Sequence, residues 1–174
     1  TYQTRLGSLY QGDCAKVLSH PALAEFRGRI QLILTSPPFP LNRKKRYGNK
    51  DGAVYRRWLA NMAPLFREFL TPTGSLVLEV GNAWNPGSPT MSTLPLESLL
   101  AFKKKGGLYL CQEFICYNPA RLPTPAQWVN VERIRVKDAF TRVWWKSSTD
   151  NPKADNHRVL TQYSKSMQEL IKRG

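Results

Sequence analysis

The chain has 174 residues, 41% of them hydrophobic, which is enough for one domain with a core and too apolar for a disordered segment. Its 26 basic and 12 acidic residues leave a net charge of +14. That favours a polyanionic partner, nucleic acid first, since no amphipathic basic helix suggests a membrane surface. No apolar run is long enough for a membrane span and no secretory signal is evident. Cys14, Cys111 and Cys116 lack zinc-type spacing, so no metal site is expected and a reduced, cytoplasmic protein is.

In chain order, Arg5–Tyr10 reads as a short edge strand. Gly12-Asp13 punctuates the chain, and Asp13 is placed to cap a short helix over Cys14–Leu18. The apolar run Ile30–Leu34 reads as a buried parallel strand that ends at Thr35-Ser36-Pro37-Pro38-Phe39. A basic loop continues to Gly52. Val54–Leu70 has helical periodicity, with Val54, Trp58, Met62, Leu65, Phe66 and Phe69 on one face. Pro72 and Gly74 stop it. Ser75–Val80 is the next strand, closed by Gly81-Asn82, and Ala83–Thr93 is a loop.

Leu94–Lys105 predicts a helix ended by Gly106-Gly107, with Lys103, Lys104 and Lys105 complementing its dipole. Leu108–Tyr117 predicts a third strong strand. A proline-broken stretch, Asn118–Gln127, leads to two further expected strands, Glu132–Val136 and Thr141–Trp145. The second is expected to be antiparallel at a sheet edge. On a strand Trp144 and Trp145 point to opposite sides, so at least one belongs to the core. The tail from Lys146 is polar, with a short helix over Ser166–Lys172. This alternation predicts an α/β layered sheet.

Thr35–Phe39 carries the sharpest chemical signal. Ligands of open α/β sheets bind beyond the carboxyl ends of the strands, where this element sits. An exocyclic amine of cytosine or adenine is a poor nucleophile because its lone pair is delocalised into the ring. Acceptors aimed at its N–H groups draw it toward tetrahedral geometry. The Ser36 hydroxyl and the Pro37 carbonyl are such acceptors. Proline holds them rigidly and brings no competing N–H. Phe39 can stack on an extruded base. The competing reading is an ordinary Ser-Pro-Pro surface loop.

Ile33–Phe39, preceded by Leu9-Tyr10-Gln11-Gly12-Asp13-Cys14, resembles the beta group of DNA amino-methyltransferases. In that group a Gly-Asp element precedes an [Asp/Asn/Ser]-Pro-Pro-[Tyr/Phe] catalytic element. Tyr55 and Trp58 match a helix of the family, and Val143-Trp144-Trp145 matches an aromatic strand near its sheet edge. The resemblance spans roughly residues 6 to 146.

It implies a Rossmann-like S-adenosylmethionine-dependent methyltransferase sheet with helices on its faces, an antiparallel edge strand, and an incomplete whole. Residues 1–146 would form the catalytic region, and 147–174 a linker or the start of a target-recognition region. It also implies a prokaryotic, DNA-associated enzyme of restriction-modification type. The enzyme would move methyl from S-adenosyl-L-methionine to a base amine in double-stranded DNA. Ser at the first motif position leans toward N4 of cytosine. N6 of adenine is the alternative, and a non-catalytic DNA-binding module of the same fold is the other.

The implied catalytic set is Ser36, Pro37, Pro38 and Phe39, and the implied donor set is Asp13, Cys14 and Thr35. For Asp13 the capping role stands equally beside the donor role. Arg43, Lys44, Lys45 and Arg46 are expected to grip phosphates, or else to form a solvated loop. Arg133 and Arg135, with Lys137 on the same strand face, would track a DNA backbone or face water. Asn82 and Trp84 read as a turn with a packing aromatic. His20 and His157 receive no chemistry. The family's Phe-x-Gly-x-Gly element, which binds the methionine end of the donor, is not found in this sequence. A second chain supplying it, a missing segment supplying it, or a pseudo-enzyme would each account for this, and the sequence does not choose among them.

Overall fold

The computed structural model describes residues 2–39 and 52–173. β1 (Tyr2–Thr4) and β2 (Gly7–Leu9) form a separate antiparallel hairpin rather than the single edge strand expected over Arg5–Tyr10. The Thr4 hydroxyl closes it, accepting from the Gly7 amide at 3.1 Å and donating to the Gly7 carbonyl at 3.0 Å. α1 (Cys14–Leu18) follows, then a 3-10 segment over Pro21–Phe26.

The main sheet has four strands. β3 (Ile30–Thr35) lies parallel to β4 (Leu70–Val80). β6 (Phe140–Ser147) runs antiparallel between β4 and β5 (Tyr109–Tyr117), so the order is β3-β4-β6-β5. The antiparallel strand predicted at the edge is therefore interior, and β5 takes the edge. The reason is its two apolar faces. Trp144 packs into the core, while Trp145 lies on the opposite face and donates its indole N–H to Ser75 Oγ at 2.9 Å.

α2 (Gly52–Phe69) and α3 (Leu94–Gly106) cover one face of the sheet. The buried stripe of α2 runs through Tyr55, Leu59, Met62, Ala63 and Phe66. Val54 is exposed and Trp58 only half-buried, so the helix is rotated from the expected face. Phe66 meets Phe102 of α3 with ring centroids 6.3 Å apart. From β4, Leu76, Leu78 and Val80 point into this layer. Gly107 ends α3 in the left-handed region (φ 58), where glycine carries no Cβ penalty.

The strand expected over Glu132–Val136 does not form. Arg133 adopts φ 56, and the amides of Glu132 and Ile134 return to the carbonyls of Gln127 and Trp128, at 2.8 and 3.1 Å, instead of joining a ladder. The tail after β6 touches the sheet where the Lys153 amide meets the Thr73 carbonyl at 3.0 Å, and it ends in α4 (Lys165–Lys172).

Lys146 departs from its expected place in a polar tail. It lies on β6 opposite Leu76 and is fully buried. Its ammonium sits 5.0 Å from the Phe102 ring centroid and 4.8 Å from that of Trp144, with no hydrogen-bond partner among the described residues. Burial, and then the nearby Lys103 charge, push its pKa down to about 7. The ring faces offset part of the cost of holding a charge there.

Lys146→Met is therefore expected to raise stability at pH 6–7 by roughly 1–4 kcal/mol. The folded pKa is depressed, so the cost is full below about pH 7 and shrinks as pH rises toward the unfolded value of 10.5. Denaturant unfolding of both proteins from pH 6 to 10 checks this. A methionine variant without the advantage, or with one that does not shrink, would count against it.

Candidate active site

The carboxyl ends of parallel strands lie on one side of a sheet, so the tips of β3 and β4 lie together. Thr35, the last residue of β3, pairs with Leu78, two residues from the end of β4. Ser36 and Pro38 are exposed past this tip, while Thr35, Pro37 and Phe39 are half-buried. The Phe39 ring rests on Gly81, the first residue after β4. A Cβ built at Gly81 would meet Phe39 Cδ2 at 2.7 Å and Cε2 at 2.8 Å, so only glycine gives the ring this seat.

The next residues bind a second segment to the same tip. Asn82 is buried, and its amide donates to Asp138 Oδ1 at 2.9 Å and to the Phe140 carbonyl at 3.3 Å. Asp138 is also buried, with Arg121 Nη1 at 3.8 Å from its other oxygen. Arg121 donates to the Phe140 carbonyl at 3.0 Å. Trp84 carries the Arg135 guanidinium on its ring face, Cζ 3.1 Å from the centroid. Arg135 is thus stacked on an aromatic instead of lining an edge-strand face, and its Nη1 is buried with no hydrogen-bond partner among the described residues. Arg133 is exposed, but on an irregular turn.

Asp13 caps α1, its Oδ1 accepting from the amides of Ala15 at 2.9 Å and Lys16 at 3.3 Å. It also lines a cleft of about 440 Å³ with Tyr10, Gln11, Lys16 and His20. Cys14 follows it. Desolvation, and then the Asp13 carboxylate, push that thiol's pKa above its ordinary value. A second, mostly apolar cleft of about 560 Å³ is lined by Tyr10, Val17, Leu23 and the β3 residues Ile30, Leu32, Ile33 and Leu34. The two clefts share Tyr10, Val17 and Leu23. Neither is lined by Ser36, Pro37, Pro38 or Phe39.

The structure therefore brings Ser36–Phe39 together with Gly81, which Asn82 follows, and it sets Asp13 on a separate cleft that Cys14 and Thr35 do not line. Arg43, Lys44, Lys45 and Arg46 lie outside the described residues. Among the described residues, no group of three or more metal-ligating side chains occurs, and no helix is long and apolar enough to cross a membrane. Asn82, Asp138 and the Trp84–Arg135 stack are candidates for organising the site; the sequence reading made Asn82 and Trp84 a turn with a packing aromatic, gave Arg135 to a DNA backbone or to water, and did not single out Asp138. The available signal was position: Asn82 and Trp84 follow the carboxyl end of a strand.

The sequence profile of a family described as DNA methylase matches residues 30–173. The Type II methyltransferase M.PvuII of Proteus hauseri is 41% identical over 171 residues. The match covers 98% of this chain and 49% of the relative, so the chain spans about half the length of that relative. Among solved structures, the PvuII DNA methyltransferase (cytosine-N4-specific) is similar at a TM-score of 0.75 and 40% identity, over 87% of this chain and 52% of that one. TTHA0409 of Thermus thermophilus, solved with S-adenosyl-L-methionine, reaches a TM-score of 0.55 at 17% identity, covering 91% of this chain and 56% of that one, which shows shared fold alone.

Gly81→Ala is expected to displace the Phe39 ring and cost about 1–3 kcal/mol. Phe39→Leu, added to it, should recover part of that loss. Urea unfolding of the two variants measures both effects, and an alanine variant as stable as the wild type would show that the seat is not tight.

Proposed function

The chain belongs to the DNA methylase family, and from that premise we propose that it carries the base-activating part of a methyltransferase acting on a DNA base amine. The target is N4 of cytosine. The observation that carries this reading is the Ser36-Pro37-Pro38-Phe39 element at the tip of β3, with its aromatic ring seated on Gly81 of the neighbouring strand. The cytosine reading rests on Ser36 at the first motif position and on the cytosine-N4-specific relative.

The extruded base stacks on Phe39. The Ser36 hydroxyl oxygen and the Pro37 carbonyl accept from its two amine N–H groups, which frees the nitrogen lone pair toward the incoming methyl carbon. Two prolines in succession fix this backbone, so little reorganisation is required when the nitrogen pyramidalises. S-adenosyl-L-methionine supplies an electrophilic methyl on a positively charged sulfur, and the transfer needs no metal.

The residues present fit one end of that donor. Asp13 lies on the 440 Å³ cleft, and both of its capping bonds go to Oδ1, leaving Oδ2 to accept from an adenine amine. Cys14, next in sequence to Asp13, and Thr35, at the end of β3, are the other two residues of the proposed donor set, though neither lines that cleft. The methionine end is held by a polypeptide segment outside this sequence, as part of the same protein or as a second chain. The excess of basic residues, Arg43 to Arg46 and Arg133 among them, meets the phosphates of double-stranded DNA. Residues 1–146 form the catalytic region, and 147–174 lead toward target recognition.

In the full-length protein, Ser36→Ala is expected to lower kcat by about 100-fold or more, with DNA affinity within a few-fold of wild type. Single-turnover methylation and equilibrium DNA binding measure the two separately, and near-normal turnover would overturn the mechanism. Asp13 separates its two roles in a second test. Asp13→Ala should cost about 1 kcal/mol through the lost cap, and Asp13→Ser should restore that stability without restoring donor affinity. Donor binding by the serine variant equal to wild type would leave Asp13 with capping alone.

A further inference from the structure

We propose that the buried Asn82–Asp138 pair is a positioning pair that locks the segment between β5 and β6 onto the seat of Phe39 and so sets the geometry of the target base. The inference rests on the reading of the β3 tip as the base-activating site.

Three observations carry it. First, Asn82 directly follows Gly81, whose bare Cα holds the Phe39 ring, so a shift of Asn82 is a shift of that seat. Second, a buried amide and a buried carboxylate meet at 2.9 Å, 56 residues apart in sequence. Burying either polar group costs free energy unless it is hydrogen-bonded, so the pair fixes one register between the two segments. Third, the segment that Asp138 anchors carries Arg121, Arg133, Arg135 and Lys137, and it is tied down again where Arg135 stacks on Trp84, two residues past Asn82. The segment that presents the exposed Arg133 and Lys137 is thereby joined, through one amide–carboxylate contact, to the ring proposed to stack on the base.

Asn82→Asp sets two carboxylates against each other in a buried site. Repulsion between like charges at this range strengthens the pair's hold on one shared proton, against the pull of Arg121 3.8 Å from Asp138. At pH 8 the variant is expected to lose about 10- to 100-fold in kcat, with DNA affinity little changed, and to regain activity as pH falls toward 5.5 and the pair takes up its shared proton. The reciprocal double variant, Asn82→Asp with Asp138→Asn, restores an amide–carboxylate bond with its direction reversed. The Phe140 carbonyl keeps Arg121 as a donor.

The double variant is expected within about fivefold of wild-type kcat at pH 8, without the acid rescue. Fluorescence of 2-aminopurine at the target position reports base placement in the same samples. It should be altered in Asn82→Asp and restored in the double variant. If Asn82→Asp fails to fold, the double variant decides alone: recovered activity supports the pair, and a folded but inactive double variant overturns it. Wild-type kcat and fluorescence in Asn82→Asp, beside an inactive Ser36→Ala, would overturn the pair and leave the base-activating site standing. An active Ser36→Ala would instead remove the site itself.

Discussion

The chemistry proposed for the tip of this sheet depends on an absence: Gly81 has no side chain. β3 and β4 run parallel, so both chains leave the sheet on the same side, and each would normally send its next side chains into solvent or into the other's path. At Gly81 the backbone of β4 is bare, and the Phe39 ring lies within the space a methyl group would occupy. That contact converts two loose strand ends into one surface. Ser36, Pro37 and Pro38 are spanned between a paired residue, Thr35, and a seated ring, Phe39. With proline restricting φ at two of the three positions, the hydroxyl and carbonyl acceptors have little freedom left.

Beneath the tip, β4 is the strand on which everything else is registered. It pairs with β3 on one side and β6 on the other, and its Leu76, Leu78 and Val80 form the floor against α2 and α3. Among the described residues this layer buries two unpaired polar groups, the Tyr55 hydroxyl and the Lys146 ammonium, and the charged one is Lys146. It stands opposite Leu76, four rows of the ladder from Arg142 opposite Val80. The strained electrostatics therefore sit at the base of the sheet and away from the strand tips. Arg142, nearer the site, is instead paired with Glu113 at 2.8 Å, and Trp144 donates to the same Glu113 oxygen at 3.0 Å, which holds that carboxyl below its usual range.

The elements with a strong internal period were legible in the amino-acid pattern alone. β3 and the second half of β4 are short apolar runs bounded by turn residues, and α3 carries its own stop in Gly106-Gly107. What the pattern could not carry was set by contacts distant in sequence. Glu132-Arg133-Ile134-Arg135-Val136 alternates like a strand, yet backbone bonds to Gln127 and Trp128 and a left-handed Arg133 wrap it into a turn. Arg135 read as a solvent or DNA residue because nothing in its neighbourhood names Trp84 as the ring it stacks on. Of the site, Ser36–Phe39 was legible as a motif and its place at a strand end as a consequence of topology. Gly81 and Asn82 were visible only as a strand terminator, since their partners lie 42 and 56 residues away.

Among the described residues, helices cover one face of the sheet. Opposite α2 and α3, the register puts Leu32, Leu34 and Phe114 on a common face, and these are 56%, 72% and 43% exposed. The groups proposed to handle the base draw nothing from that face. Phe39 rests on backbone, Asn82 on Asp138, and the core below them on the covered side, all within this one chain. The base-activating geometry is thus organised by residues that pack among themselves. The cleft proposed for the donor differs, because its neighbouring trough runs along the outer edge of β3 and includes the exposed Leu32 and Leu34. The two proposed sites therefore rest on different contacts, so substitutions at the strand tips and at the Asp13 cleft test the two halves of the proposed reaction separately.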